Sequence, residues 1–324
     1  MQKDSRIFVA GHRGLAGSAL VRALAASGHA NLVTRTHAEL DLTDQAAVRG
    51  FFQAERPEHV FLAAAKVGGI LANSTFPAQF IRDNLAIQTN VIHEAWAAGV
   101  DRLLFLGSSC IYPRLCPQPM REEHLLSGPL EPTNRAYAVA KIAGIEMCSG
   151  YNRQYGARFM AAMPTNLYGP GDSYDLENSH VIPAVIRKMH EAKVRGDAEV
   201  VIWGTGTARR EFLFSDDMAE ACVLLMRLPE AGFAAQLEQG EFPLTNMSCG
   251  ADMTIAEMAR IVADVVGFTG RLTFDASRPD GTPQKMLDVS RMTALGWRPR
   301  VGLHAGLAAA YADYLARWCA RPKP

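Results

Sequence analysis

A chain of 324 residues, 48% of them hydrophobic, is long enough to bury one large core or two smaller ones. Its 33 Lys and Arg residues balance 33 Asp and Glu residues, without a basic stripe or an acidic tail. This balance excludes nucleic acid and anionic membranes as the main partners. No apolar run reaches the roughly 18 residues of a membrane span, and the first residues show no signal-peptide pattern.

The six cysteines are scattered along the chain. They form neither a CxxC pair nor a metal-ligand spacing, so no metal site is expected. A chain of this length does not need disulfides for stability. We therefore expect reduced thiols and a cytoplasmic protein.

Short apolar runs alternate with helical patterns over the first half of the chain. Strands are predicted in RIFVA, NLVTRT, HVFLAAA, RLLFLGSS and RFMAAMPTNLYG, and helices in SALVRALAASG, QAAVRGFFQAE, FIRDNLAIQTNVIHEAWAAG and AYAVAKIAGIEMCSGYNRQYG. Strict alternation of this kind predicts a parallel sheet with crossover helices.

The alternation ends after residue 168, where GPGDSYDLENSH is rich in Gly, Asp and Asn. We predict a first domain over residues 1–168 and a mainly substrate-binding domain over residues 169–324. A strand-like EVVIWG and a helix at SDDMAEACVLLMRL predict that a segment near residues 199–228 returns to the first domain. The predicted fold is α/β, with a Rossmann-type doubly wound parallel sheet and a smaller α/β C-terminal domain.

The segment GHRGLAG places Gly11, Gly14 and Gly17 between the first strand and the first helix. In that setting glycine permits a tight turn and lets the backbone approach a pyrophosphate on the helix N-terminus. The spacing is GxxGxxG rather than the more familiar GxGxxG. A tight turn without a ligand would explain the same glycines.

Arg35 stands at the end of the second strand, where NAD-binding proteins carry an acidic residue for the ribose 2′-hydroxyl. Arg13 lies inside the glycine turn. Two cations at these positions favour a 2′-phosphate, and therefore NADP over NAD. The alternative is that both arginines are ordinary surface residues.

The segment YAVAK places Tyr137 and Lys141 on one face of a helix. At this spacing the ammonium is expected to lower the tyrosine pKa from about 10, so that the phenol can exchange a proton with a hydroxyl or ketone while a hydride moves. Ser108 ends a strand 29 residues upstream and would hydrogen-bond the same oxygen. The Tyr-Lys pair alone would equally fit a solvated helix face.

The combination resembles the extended short-chain dehydrogenase/reductases, most of which act on nucleotide-diphosphate sugars. Segments along nearly the whole chain are more specifically similar to the GDP-L-fucose synthase family: AGHRGLAGSA, LAAAKVGGI, LGSSCIYP, EPTNRAYAVAKIAGIEMC, MPTNLYGPGD, NSHVIPA, REFLFSDDMAEA and FDASRPDGTPQKMLDVSRMTALGW. The resemblance implies an NADPH-dependent conversion of GDP-4-keto-6-deoxy-D-mannose to GDP-L-fucose by 3,5-epimerisation and 4-keto reduction. It also implies a homodimer paired through helices near residues 80–98 and 136–155.

By this resemblance the catalytic Ser, Tyr and Lys are Ser108, Tyr137 and Lys141, and the epimerisation pair is Cys110 and His180. A 4-ketone acidifies the hydrogens at C3 and C5, and each inversion needs a base and an acid on opposite faces. A thiol and an imidazole suit this task near neutral pH. The plain alternatives are a turn with a buried cysteine for LGSSCIYP and a loop histidine for His180.

The resemblance also implies the binding residues. The cofactor is expected to contact Gly11, His12, Arg13, Gly14, Leu15, Ala16, Gly17, Arg35, Leu106, Gly107, Ser108, Ser109, Lys141, Pro164, Thr165, Asn166, Leu167 and His180, and the GDP-sugar is expected to contact Lys188, Trp203, Arg210 and Asp280. Arg210 suits a bidentate clamp on the diphosphate. The chain departs from the family at Lys188, which is often arginine, and at His37, where a second cation is usual and whose neutral ring would weaken the NADP preference.

Three alternatives remain open. A different reductase or 4-epimerase of nucleotide sugars would be separated by the stoichiometry of NADPH consumption. A non-catalytic NADP-binding sensor would tend to lack Tyr137 or Lys141, and both are present. A hydrolase using Cys110 and His180 would leave the glycine turn and the Tyr-Lys pair unexplained.

Overall fold

The computed structural model describes residues 1–319. The strands are β1 (Ile7–Ala10), β2 (Leu32–Val33), β3 (His59–Leu62), β4 (Arg102–Leu106), β5 (Phe159–Pro164), β6 (Asn166–Tyr168), β7 (Glu199–Trp203), β8 (Arg209–Arg210), β9 (Phe212–Phe214), β10 (Leu244–Met247), β11 (Met253–Thr254), β12 (Arg271–Asp275) and β13 (Gln284–Lys285). The helices are α1 (Leu15–Ala26), α2 (Gln45–Glu55), α3 (Ile70–Thr75), α4 (Pro77–Ala97), α5 (Arg135–Tyr155), α6 (Val181–Arg195), α7 (Ser215–Arg227), α8 (Glu230–Leu237), α9 (Ile255–Val266), α10 (Ser290–Ala294) and α11 (Leu303–Tyr314). Within residues 1–319, none of these helices combines the length and apolarity needed to span a membrane.

Six strands form the central sheet, in the order β10-β5-β4-β3-β1-β2. Every pairing in it is parallel, because each connection between neighbouring strands crosses over through a helix. The four inner strands β1, β3, β4 and β5 are buried along their whole length, as expected when helices cover both faces. The predicted Rossmann-type α/β fold is confirmed.

Successive residues of the inner strands point into two separate apolar layers. On β1, Ile7 and Val9 join a cluster with α1 and α7, whereas Phe8 and Ala10 join a cluster with α2, α4 and α5. A third cluster lies in the C-terminal half, among α6, α9, α11 and β7. The candidate site lies between the helices and strands that these three clusters pack together.

Two predicted strands differ most from the structure, while HVFLAAA and RLLFLGSS are strands only as far as Leu62 and Leu106. The run NLVTRT keeps only β2 as a strand, because this segment forms the sheet edge and has β1 as its one neighbour. The run RFMAAMPTNLYG is divided at Thr165 into β5, in the central sheet, and β6, which leaves it to pair with β9. The division turns residues 164–167 towards the open end of the sheet.

The C-terminal half contributes to the central sheet through β10, which the sequence analysis did not predict. Helix α7 packs against α1, and Arg22 pairs with Asp216 across that contact. Strand β7 instead pairs with β12, outside the central sheet. The domain limits at residues 168 and 169, and the returning segment near residues 199–228, stay predictions.

Candidate active site

A cavity of about 1170 Å³ opens at the carboxyl ends of the central strands, which is the usual position of a ligand site in a parallel sheet. Its walls come from the glycine turn, the loops after β3, β4 and β5, and the segments around β7, β8 and β13. All predicted site residues except His12 line it: Gly11, Arg13, Gly14, Leu15, Ala16, Gly17, Arg35, Leu106, Gly107, Ser108, Ser109, Cys110, Tyr137, Lys141, Pro164, Thr165, Asn166, Leu167, His180, Lys188, Trp203, Arg210 and Asp280. The structure thus brings them together, while their roles remain predictions.

The glycine turn has the close backbone packing that a dinucleotide cradle requires. Gly11 has a positive φ of 86°, and a Cβ on Gly17 would lie 2.1 Å from the Gly11 carbonyl oxygen. Gly14 precedes α1 without a side-chain cap, and the first turn of α1 contains no acidic residue. The first N–H groups of α1 are therefore not capped by a side chain, which fits a diphosphate at this position.

Arg13, Arg35 and His37 line the neighbouring end of the cavity. The Arg35 guanidinium makes two contacts. Its Nη2 pairs with Glu55, and its Nη1 donates to the Thr34 carbonyl at 2.8 Å. These contacts orient the guanidinium along the cavity wall. Both predicted arginines therefore line one end of the cavity, and their contact with a 2′-phosphate stays a prediction.

Strand β4 and helix α5 bring Ser108, Tyr137 and Lys141 to one wall. The Ser108 hydroxyl hydrogen-bonds towards Tyr137. The Lys141 Nζ donates to the Leu106 carbonyl at 2.7 Å and lies 4.5 Å from the centre of the Phe105 ring. The ammonium is 5.8 Å from the centre of the Tyr137 ring.

The expected lowering of the Tyr137 pKa is wrong for this structure. Burial raises the pKa of Tyr137, the neighbouring Cys110 raises it further, and only the Ser108 hydrogen bond acts in the opposite direction. Burial also lowers the pKa of Lys141 to about 7, so the charge expected to act on the phenol is itself disfavoured. Tyr137 is therefore a protonated phenol, the form that donates a proton to a substrate oxygen.

Cys110 is half-buried beside two donors that the sequence analysis did not identify. Asn134 Nδ2 lies 3.1 Å from the Cys110 Sγ, and Lys285 Nζ lies 3.5 Å from it. Both groups can donate to sulfur, and the ammonium places a positive charge beside it. A thiolate at this position would be stabilised by both contacts.

His180 immediately precedes α6 and lines the same cavity. Desolvation by the surrounding walls lowers the pKa of His180. The ring is therefore mainly neutral at neutral pH. A neutral imidazole can accept a proton and pass it on.

The opposite wall carries the residues predicted for a sugar nucleotide. Arg210 donates through Nη2 to the Asp280 carbonyl at 3.0 Å, while the Asp280 carboxylate accepts from the Thr205 amide at 2.8 Å. The exposed Trp203 has Lys188 and Arg278 near its ring, each 4.9 Å from the centroid. Arg278 is a further cation that sequence reasoning missed, because no spacing links it to Trp203.

This chain is similar in sequence to known proteins. The NAD dependent epimerase/dehydratase family matches residues 7–237. The chain belongs to this family. Within the NAD dependent epimerase/dehydratase family, it is 55% identical to GDP-L-fucose synthase 1 of Arabidopsis thaliana, over 98% of this chain and 96% of the relative. It is 54% identical to the GDP-L-fucose synthase of Escherichia coli strain K12, over 96% of each chain. The predicted resemblance is confirmed.

Solved structures share the fold over almost the whole chain. A GDP-6-OMe-4-keto-L-xylo-heptose reductase from C. jejuni is 38% identical, with a TM-score of 0.91 over 98% of this chain and 99% of that one. MlghC, a GDP-mannoheptose C4 reductase from Campylobacter jejuni with NADP bound, is 40% identical, with a TM-score of 0.88 over 97% and 99%.

Proposed function

We propose that this protein converts GDP-4-keto-6-deoxy-D-mannose to GDP-L-fucose with NADPH, by epimerisation at C3 and C5 and then reduction at C4. One observation carries the proposal: a proton-donating phenol and a thiol flanked by donors face the same cavity. The two reactions need these two groups separately. The GDP-L-fucose synthases to which the chain is similar support the choice of sugar nucleotide.

The cofactor is NADP(H), which supplies the hydride delivered to C4. The glycine turn would hold the diphosphate, and Arg13 and Arg35 would hold the 2′-phosphate. Residues 164–167 would line the nicotinamide end. The NADP bound to the neighbouring reductase supports this choice. In the proposed division, residues 1–168 bind the cofactor and residues 169–324 mainly bind the GDP-sugar.

In the reductive step Tyr137 gives its proton to the C4 oxygen, which Ser108 also hydrogen-bonds. Loss of that proton leaves a negative phenolate. The phenolate in turn favours the charged form of Lys141, whose ammonium lies 5.8 Å from the phenol ring. Lys141 thus balances the charge that appears on Tyr137 during the reaction.

In the epimerisation step the Cys110 thiolate removes the protons at C3 and C5 in turn. The charge that develops on the C4 oxygen is met by hydrogen bonds from Tyr137 and Ser108. His180, protonated from solvent, returns a proton from the opposite face, and the Cys110 thiol gives its proton to solvent before the second inversion. Asn134 and Lys285 donate towards the Cys110 sulfur before each transfer.

A second candidate function is 4-keto reduction without epimerisation, acting on a GDP-heptose. The TM-score of 0.91 with the C. jejuni GDP-heptose reductase favours it. Reduction without epimerisation needs no base at C3 or C5, so it leaves Cys110 and its two donors without a role. For that reason we place it second.

The deciding experiment incubates the protein with GDP-4-keto-6-deoxy-D-mannose and NADPH and identifies the product sugar by NMR. We expect GDP-L-fucose and one NADPH oxidised per product. A 6-deoxyhexose with unchanged C3 and C5 would leave only the reductase. Retention of the substrate with no NADPH oxidised would overturn the first candidate, and the same result with a GDP-4-keto-heptose would overturn the second.

We further propose a cytoplasmic homodimer. Val139 and Tyr155 are exposed apolar or aromatic side chains of α5, and Trp96 of α4 stacks on Tyr155 with ring centres 4.4 Å apart. Apolar side chains of this kind favour association. Light scattering after gel filtration should give twice the monomer mass, and Val139→Glu should return the monomer. Cell fractionation tests the location, which the scattered cysteines favour.

A further inference from the structure

Glu211 is fully buried directly beside the cavity-lining Arg210. Its two carboxylate oxygens accept from two separate segments: Oε1 from the Gly250 amide at 3.0 Å, and Oε2 from the Leu287 amide at 2.7 Å. Both donors are backbone groups rather than cations. Removing a carboxylate from water costs free energy, so the hydrogen bonds of the buried Glu211 need an explanation.

The backbone carbonyl of Glu211 accepts from a third segment. Asn166 Nδ2 donates to it at 3.0 Å, and the Thr165 hydroxyl donates at 3.4 Å. Thr165 and Asn166 belong to the cavity wall after β5 that is assigned to the nicotinamide end. A single residue therefore joins that wall to the loop after β10 and to the segment after β13.

The segment after β13 leads back to Cys110. Leu287, whose amide Glu211 holds, lies two residues after Lys285. Lys285 pairs with Arg210 in the register of β13 and β8, and its ammonium lies 3.5 Å from the Cys110 Sγ. The position of Glu211 therefore sets where both Lys285 and Arg210 stand relative to Asn166.

We propose that Glu211 is a positioning residue for both steps of the reaction. It holds Lys285 against Cys110, and Arg210 at the sugar-nucleotide wall, at a fixed distance from the nicotinamide wall. The inference rests on the function proposed above. Burial raises the pKa of Glu211 to about 7, against the lowering effect of hydrogen bonds from the Leu287 amide, the Ser248 hydroxyl and the Gly250 amide.

The test variant is Glu211→Gln, which keeps the size of the side chain but can accept only one of the two amides through its single oxygen. The loss of one such hydrogen bond should lower solvent deuterium exchange at C3 and C5 by about tenfold and raise the KM for the GDP-sugar. Exchange is measured in D₂O with the keto-sugar and oxidised NADP. The Kd for NADPH, measured by fluorescence, should stay within about twofold, because the substitution keeps the backbone carbonyl to which Thr165 and Asn166 donate.

Glu122→Gln is the matched control. Glu122 is also a buried glutamate that accepts a backbone amide, from Asn246 at 2.9 Å, but it does not line the cavity. Its variant should lose stability and keep wild-type exchange per folded molecule. Where Glu211→Gln does not fold, Glu211→Asp serves, since it keeps the charge and is too short to reach both amides.

An unchanged exchange rate and an unchanged KM in folded Glu211→Gln, with only a lower Tm, would overturn the inference and leave a structural role. The same result in folded Glu211→Asp would also overturn it. Wild-type protein that neither exchanges deuterium nor oxidises NADPH would instead refute the proposed function itself. The two failures are therefore distinguishable.

Discussion

Lys285 and Cys110 are 175 positions apart in the chain, yet the lysine Nζ lies 3.5 Å from the cysteine Sγ. The strand β13 carries the lysine to the far wall of the cavity, opposite the loop after β4 that carries the cysteine. A positive charge at that distance stabilises a thiolate more than a thiol. The pair therefore connects the C-terminal half of the chain to the proposed proton transfers.

Lys285→Met should slow deuterium exchange at C3 and C5 by roughly 10- to 100-fold, the usual effect of losing a hydrogen bond to a charged group. NMR of the keto-sugar in D₂O measures the exchange rate. Lys193→Met is the control, since Lys193 donates to the Val266 carbonyl outside the cavity. Exchange at the wild-type rate in Lys285→Met would contradict the role.

Tyr137→Phe should lower kcat for NADPH oxidation by about 10² to 10⁴, the size of a general-acid contribution, with little change in substrate binding. Exchange at C3 and C5 should persist at a reduced rate, because the phenol also meets the charge on the C4 oxygen. Stopped-flow absorbance and NMR give the two rates. Tyr155→Phe, on the exposed end of the same helix, should behave as wild type. Wild-type NADPH oxidation by Tyr137→Phe would remove the phenol from the mechanism.

Cys110→Ala should nearly abolish exchange while still binding the GDP-sugar, since the thiol is the proposed base. With NADPH it should slowly yield a reduced sugar that is not fucose. His180→Ala should slow both inversions as well. Cys116→Ala controls for loss of a half-buried thiol outside the cavity. Exchange at the wild-type rate in Cys110→Ala would return this residue to the role of a packing side chain.

Arg35→Ala should weaken NADPH binding far more than NADH binding, because only NADPH carries the 2′-phosphate. Fluorescence titration with each cofactor measures the two affinities. His37→Arg should tighten NADPH binding at the same end of the cavity. Arg56→Ala, an exposed arginine that does not line the cavity, is the control. Equal losses for both cofactors would show that Arg35 does not contact the phosphate.

The buried Lys141 predicts a pH-dependent stability. Burial lowers its pKa to about 7, whereas an unfolded lysine titrates near about 10.4. Below pH 7 both states carry the proton, and the native state bears the full cost of a buried charge. As the pH rises towards 10, native Lys141 becomes neutral and that cost falls away.

Lys141→Met should therefore raise the free energy of unfolding by roughly 1–3 kcal/mol at pH 6, and by much less near pH 10. Urea unfolding at both pH values measures the difference. Lys193→Met again serves as the control. An advantage of Lys141→Met that grows with pH would show that Lys141 is charged in the native state.

The sequence predicted correctly those elements whose ends are set by residues nearby in the chain. The predicted limits of α2 agree with the structure because both ends are set nearby: the Asp44 carboxylate accepts the Ala46 and Ala47 amides, and Arg56 adopts the left-handed conformation at the other end. In the same way the glycine turn, LGSS and YAVAK were each readable from a few residues. These segments supply most of the cofactor wall.

Distant pairings could not be read in this way. Strand β10 has the sequence LTNM, whose Thr245 and Asn246 are fully buried. It is a strand because its backbone pairs with β5, while the Asn246 side chain is held by the Tyr112 hydroxyl and the Met120 carbonyl, all far away in the chain. Asn134, Lys285 and Glu211 were missed for the same reason, since no spacing in the sequence reports a contact across the cavity.

The position of β10 also bears on how the chain is made. On the ribosome, residues 1–168 emerge first with β1 to β5, and β5 is then an edge strand, like β2 at the other side of the sheet. That edge is an unpaired row of amides and carbonyls, able to recruit a foreign strand. It closes only when residues 244–247 have been translated and β10 pairs with β5. The nascent protein therefore passes through a long interval in which a chaperone, or slow folding of the first half, must protect that edge.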